Sequence, residues 1–203
     1  MSPRISTLAQ EERKEVIIDA AFHCIARKGF AGTSIDDIAV EASGSKGAIY
    51  NYYNSKDEIF LTLMERKNRK AYLELTYQFG HVDTADMKLR YLINTEFPLN
   101  ILGPCWRRVR LEFILCAVER ENFRVFWQDE EQKFIDLIED IYRDGQQSGC
   151  FAPHHDIRSL AELFWITQNN ITANFVYTDR AQVHYLRLRE MEKLFIDNIK
   201  THH

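Results

Sequence analysis

Apolar residues recur along most of the chain at three- and four-residue steps, the spacing of helices that bury one face, and no run alternates in the manner of a strand. The pattern predicts an all-α protein. Gln10 to Lys28 places Ile17, Ala20, Ala21, Cys24 and Ile25 on one side, with Gly29 just beyond as a C-terminal cap. From Thr33, a good N-cap with Asp36 three residues on, Ile35, Ile38, Ala39 and Ala42 form a short buried stripe. Ser43-Gly44 interrupts it. Ser45 then caps a second short helix that opens Lys46-Gly47-Ala48 and turns Ile49 and Tyr53 inward. Ser55 opens a longer helix to about Phe79, and others are expected over residues 84–97, 105–120, 122–147 (ending at Gly145 to Gly149), 156–177 and 180–200. The 105–120 segment is apolar nearly all round, so it is expected to be central. This reading divides the chain into a three-helix domain over residues 1–54 and a helical bundle over 55–203, with the Ser55 helix as the continuous link between them.

Charge narrows the chemistry. The 203 residues carry a net charge of −4, and residues 1–60 hold seven Lys and Arg against nine Asp and Glu, so attraction to a polyanion must come from local placement. Lys46, Lys56 and the run Arg66-Lys67-Asn68-Arg69-Lys70 are the candidates, although such a run also suits a solvated helix face. The second short helix has the right neutral groups beside its lysine. Gly47 allows close approach, and Tyr50, Asn51 and Tyr52 supply donors within reach of phosphates or base edges. A plain surface helix pair is the competing account.

Order and spacing decide between them. Ser45-Lys46-Gly47-Ala48-Ile49-Tyr50-Asn51-Tyr52-Tyr53 followed by Ser55-Lys56-Asp57-Glu58 closely resembles the DNA-binding signature of TetR-type transcriptional regulators, S-K-G-T-L-Y-x-x-F then S-K-E-E-L. Gly29 to Ala39 resembles the family's G-x-x-x-T-S-x-x-x-I-A, which contains Thr33. There are two departures: the turn reads Ala42-Ser43-Gly44, with its glycine one place late, and Ala48 stands where the family often has Thr. Both bear on the tilt of the recognition helix. The resemblance implies a DNA-binding set of Thr33, Ser45, Lys46, Gly47, Ala48, Tyr50, Asn51, Tyr52 and Lys56, with Tyr50, Asn51 and Lys56 at phosphates and Lys46, Gly47 and Tyr52 nearest the bases. It also implies a homodimer through the two C-terminal helices, a palindromic operator in double-stranded DNA, and a small-molecule effector.

The second half of the chain supplies candidates for that effector. All three Trp and nine of the thirteen Phe follow residue 96, more large rings than a thin bundle needs. A cavity between helices would use Trp106, Phe113, Trp127, Phe134, Trp165 and Phe175 as walls, with Glu112, Gln168 and Asn169 as polar fixings. Core packing competes for each ring, and a pair with Arg108 competes for Glu112. His154-His155-Asp156 lacks a further ligand at defined spacing, and a loop with Asp156 as helix cap is the simpler reading. Cys24, Cys105, Cys116 and Cys150 lack zinc or redox spacing and, lying in or beside apolar helical runs, read as buried free thiols. No phosphate loop, nucleophile elbow, membrane span or signal core is visible, so a cytoplasmic, non-enzymatic regulator without cofactor or metal is expected. An enzyme on a helical bundle, or a dimeric interaction protein with weakened DNA binding, are the other classes.

Overall fold

The computed structural model describes residues 7–95, 102–103, 105–174 and 181–201. Among these the helices are α1 (Thr7–Lys28), α2 (Ile35–Glu41), α3 (Lys46–Tyr50), α4 (Lys56–Phe79), α5 (Ala85–Asn94), α6 (Cys105–Glu119), α7 (Glu121–Gln147), α8 (Ile157–Asn174) and α9 (Ala181–Phe195), with a 3-10 turn at Asp197–Ile199. The all-α expectation holds. One isolated antiparallel bridge, Phe151 with Lys200, ties the chain end to the segment before α8.

The chain packs as two compact units, one of residues up to Lys70 with Arg108–Phe126, the other of Ala71–Arg107 with residues from Trp127 onward. The first therefore extends beyond the expected 1–54 boundary. The reason is a shared aromatic core: Phe60 of α4 stacks on Phe30 at 4.8 Å, and Phe113 of α6 and Phe123 of α7 meet Phe60 edge-on at 5.1 and 5.9 Å. Three helices, α4, α6 and α7, contribute residues to both units, where the sequence pattern singled out only the first. Nor is α6 buried all round. Trp106, Val109, Phe113 and Ala117 form its buried stripe, while Leu115 and Val118 are 66% and 75% exposed.

The second unit is centred on Leu75, Leu89, Ile93, Ile138, Tyr142, Phe164 and Ile196. Gly145 lies inside α7 and does not end it; a Cβ there would stand 2.2 Å from the Phe151 ring, so glycine is what lets that ring pack. Gly149, at φ +76, follows the helix end. Asp156 accepts from the Ser159 N–H at 2.9 Å, and thus caps α8 as expected.

Candidate nucleic-acid interface

α2 and α3 are too short to persist by propensity, and side chains at their starts hold them. Ser34, in extended conformation, accepts from the Asp37 N–H at 3.1 Å while the Asp37 carboxylate accepts from the Ser34 N–H at 2.8 Å, a reciprocal capping box. The cap thus sits one residue later than expected. Thr33 is 2% exposed and its hydroxyl donates to the Gly29 carbonyl at 2.7 Å, locking the corner after α1. That burial removes Thr33 from any exposed binding face, a correction to its place in the expected set. Ser45 does cap α3, accepting from the Ala48 N–H at 3.2 Å.

The turn between α2 and α3 resolves the late glycine. Ser43 itself takes the left-handed conformation, at φ 50, which costs about 1 kcal/mol relative to glycine. Its N–H donates to Val40 O at 3.1 Å and that of Gly44 to Ala39 O at 2.8 Å, so the turn closes all the same. A Cβ on Gly44 would stand 2.3 Å from the Arg13 guanidinium, the free end of a flexible side chain that can move aside, so packing does not demand glycine there.

Ile49 and Tyr53 are buried as expected. Burial pushes the Tyr53 phenol up to about 12, and its hydroxyl has no hydrogen-bond partner among the described residues. The outward face carries Lys46, Gly47, Tyr50 and Asn51, all exposed, with Ala48 and Tyr52 half-buried. Lys46 pairs with Asp36 at 2.9 Å, and that hydrogen bond raises its pKa. Around Gly47, a Cβ would find only Ser45 Oγ, 4.0 Å away, so packing within the chain does not require glycine there.

Two cationic candidates face inward. Lys56 donates to the carbonyls of Phe30 and Thr33 at 2.7 and 2.8 Å and lies 4.3 Å from the Phe30 ring centroid, and desolvation lowers its pKa. In the 66–70 run, Arg66 pairs with Glu11 and Glu15 of α1, and Lys67 pairs with Asp19 at 3.1 Å and lies over Phe22. Those two brace α4 against α1. Arg69 and Lys70 remain exposed.

The expected effector set is divided by the structure. Phe113 and Glu112 belong to the first unit, where Phe113 is a core ring and Glu112 accepts from the Phe30 N–H at 2.9 Å. Trp106, Phe134, Trp165 and Gln168 are buried in the second unit, where Phe134 stacks on Trp165 at 4.8 Å and Gln168 donates to Leu92 O at 2.8 Å. Trp127 and Asn169 are half-buried there, and Phe175 lies outside the described residues. A cleft of about 490 Å³ in that unit is lined by none of them but by Thr84, Lys88, Asp144, Cys150, Lys200 and neighbours.

Residues 17–63, the stretch that contains α2, α3 and their caps, match the family described as bacterial regulatory proteins, tetR family. The helix-turn-helix of this chain is a TetR-family one. Among its relatives, the uncharacterised HTH-type transcriptional regulator YfiR of Bacillus subtilis is 24% identical over 98% of this chain and 97% of its own length. The fold of a regulator from Saccharomonospora viridis, solved in complex with choline, superposes with a TM-score of 0.84 over 95% of this chain and all of that one, at 21% identity. FadR of Bacillus subtilis, solved with stearoyl-CoA, gives 0.78 over 91% and 98%, at 22% identity. The chain thus shares the fold of those regulators, an N-terminal helix-turn-helix followed by a C-terminal helical domain. No helix among its described residues is long and apolar enough to cross a membrane.

Proposed function

We propose that this TetR-family regulator is a homodimeric repressor that leaves a two-fold symmetric operator when a small molecule binds its second unit. The observation that carries the reading is the outward face of α3, where Lys46, Gly47, Tyr50 and Asn51 stand exposed on a capped helix and glycine at 47 answers no packing need of the chain itself. A major-groove partner would use both features, the donors for contact and the missing Cβ for approach. Lys46 and Gly47 are then nearest the bases with Tyr52 beside them, and Tyr50 and Asn51 at phosphates. Lys56 keeps one of its three ammonium donors for a phosphate after its two carbonyl bonds.

Dimerisation through α8 and α9 is supported by aliphatic side chains those helices leave uncovered. Leu163 and Ile166 on α8 and Leu186 and Leu194 on α9 are each more than half exposed, at steps of three and eight residues that keep each pair on one helix face. For the effector, the support is a pair of buried donors: the indole N–H groups of Trp106 and Trp165 have no hydrogen-bond acceptor among the described residues. Such groups are costly unless something accepts from them, and a polar effector atom would. Choline and stearoyl-CoA, bound by two structural neighbours, are chemically unlike, so the shared fold does not set the effector class.

Selection of bound sequences from random duplex DNA tests the reading. Inverted repeats with half-sites about 34–36 Å apart, or a multiple of that, are expected; recovery of non-repeating sequences alone would refute a two-fold operator.

A further inference from the structure

We infer that Glu112 is a positioning residue for DNA binding: through its carboxylate, α6 holds the corner between α1 and α2 and so sets where the helix-turn-helix stands. This rests on the regulator reading above. α1 ends with the Gly29 N–H bonded back to Ile25 O at 2.8 Å, a termination that leaves the next N–H, that of Phe30, without a partner inside the helix. Phe30 is buried, so this donor needs an acceptor. Glu112 Oε2 accepts from it at 2.9 Å, reaching across 82 residues of sequence.

The approach depends on glycine from the other side. A Cβ on Gly29, whose φ is +75, would stand 2.7 Å from Glu112 Oε1, so the carboxylate rests against a bare Cα. The Phe30 ring is gripped as well: Phe60 stacks on it, the Arg120 guanidinium lies 5.1 Å from its centroid, and Lys56 holds its carbonyl. Phe30 is therefore fixed at backbone and ring by α4 and by the α6 and α7 segments of the same unit.

A carboxylate at the C-terminal end of a helix is electrostatically disfavoured, because the exposed carbonyls there carry partial negative charge. The hydrogen bond from the Phe30 N–H holds it in place against that repulsion. α6 also begins in the second unit, with buried Trp106 six residues before Glu112.

The test uses full-length protein and duplexes that carry two copies of the selected half-site at graded spacings. Wild type is expected to bind one spacing best, and Glu112→Ala to lose about tenfold of that discrimination with base preference within each half-site unchanged. Glu112→Gln, which keeps an acceptor, should retain it. Gly29→Ala should lose it as Glu112→Ala does. If Glu112→Ala fails to fold, Glu112→Asp, with its arm one methylene shorter, carries the same expectation. Unchanged spacing discrimination in Glu112→Ala, or an altered base preference, or a Glu112→Gln protein that behaves like the alanine variant, would overturn the inference while the regulator reading stands. A wild-type chain that selects no DNA overturns both.

Discussion

The α2–α3 pair and the α8–α9 pair solve the same problem, fixing one helix beside another, with different chemistry. The first pair has helices of 7 and 5 residues, and its specification is local: Ser34 with Asp37, and Ser45 with the Ala48 N–H, within three residues of each other. The second pair has helices of 18 and 15 residues joined to α5 by polar groups far apart in the chain. Glu192 is 3% exposed and receives Arg90 at 2.8 Å, Arg189 at 3.0 Å and Asn94, while Gln168 bonds Leu92 O. Local caps keep a short pair in place at small cost and leave its outer face unconstrained. Long-range ties hold a bundle more strongly, and each makes its partners depend on it.

The comparison breaks first at the core of the second unit. Phe164 is fully buried, with edge contacts to Phe195 and Tyr142, and Phe164→Ala should lower stability by about 4 kcal/mol in chemical denaturation. Arg90→Ala should cost about 3 kcal/mol in the same measurement, because Glu192 would remain buried with fewer of its cationic partners. If either change costs no more than a cap, long-range ties do not dominate that unit.

The caps sharpen the contrast at a smaller scale. Ser34→Ala should cost about 1 kcal/mol in thermal or denaturant melts. The Asp37 carboxyl is held well below the usual range by its hydrogen bond from Lys28 and then by those from Ser34. Its folded value is depressed, so its stabilising contribution is present above the unfolded carboxylate value of about 3.9 and is lost as pH falls towards the folded value. Melting temperature should therefore fall below about pH 4, with part of that fall absent in Asp37→Asn. The smallest expected effect is at the outer face: Lys46→Ala should leave denaturant melts essentially unchanged. Its effect on DNA affinity should appear in base preference at the contacted positions, and an unchanged preference would move Lys46 to a backbone role.

The two regions were not equally legible. Short helices announce themselves through cap residues and three- and four-residue steps, so α2, α3, their turn and the exposed set from Lys46 to Asn51 could be read directly. The errors there were small, and each arose from burial. Thr33 and Ser34 are equally good caps as residue types, and only the packing of Thr33 into the corner after α1 chose between them. The effector set was least legible: an aromatic residue in a helical stripe looks the same whether it fills a core, as Phe113 does, or lines a site.

What the sequence determined by itself is the helical order and the capped hairpin with its TetR-type signature, because these rest on interactions among residues a few positions apart, where backbone geometry dictates who meets whom. Tertiary structure alone decided which charges act on neighbours and which face outward. Lys56 turns to the carbonyls of Phe30 and Thr33, Arg66 and Lys67 turn to α1, and Glu112 turns to a backbone N–H 82 residues earlier. A long flexible side chain can reach several partners, and its choice depends on which buried donor or acceptor the fold leaves without one.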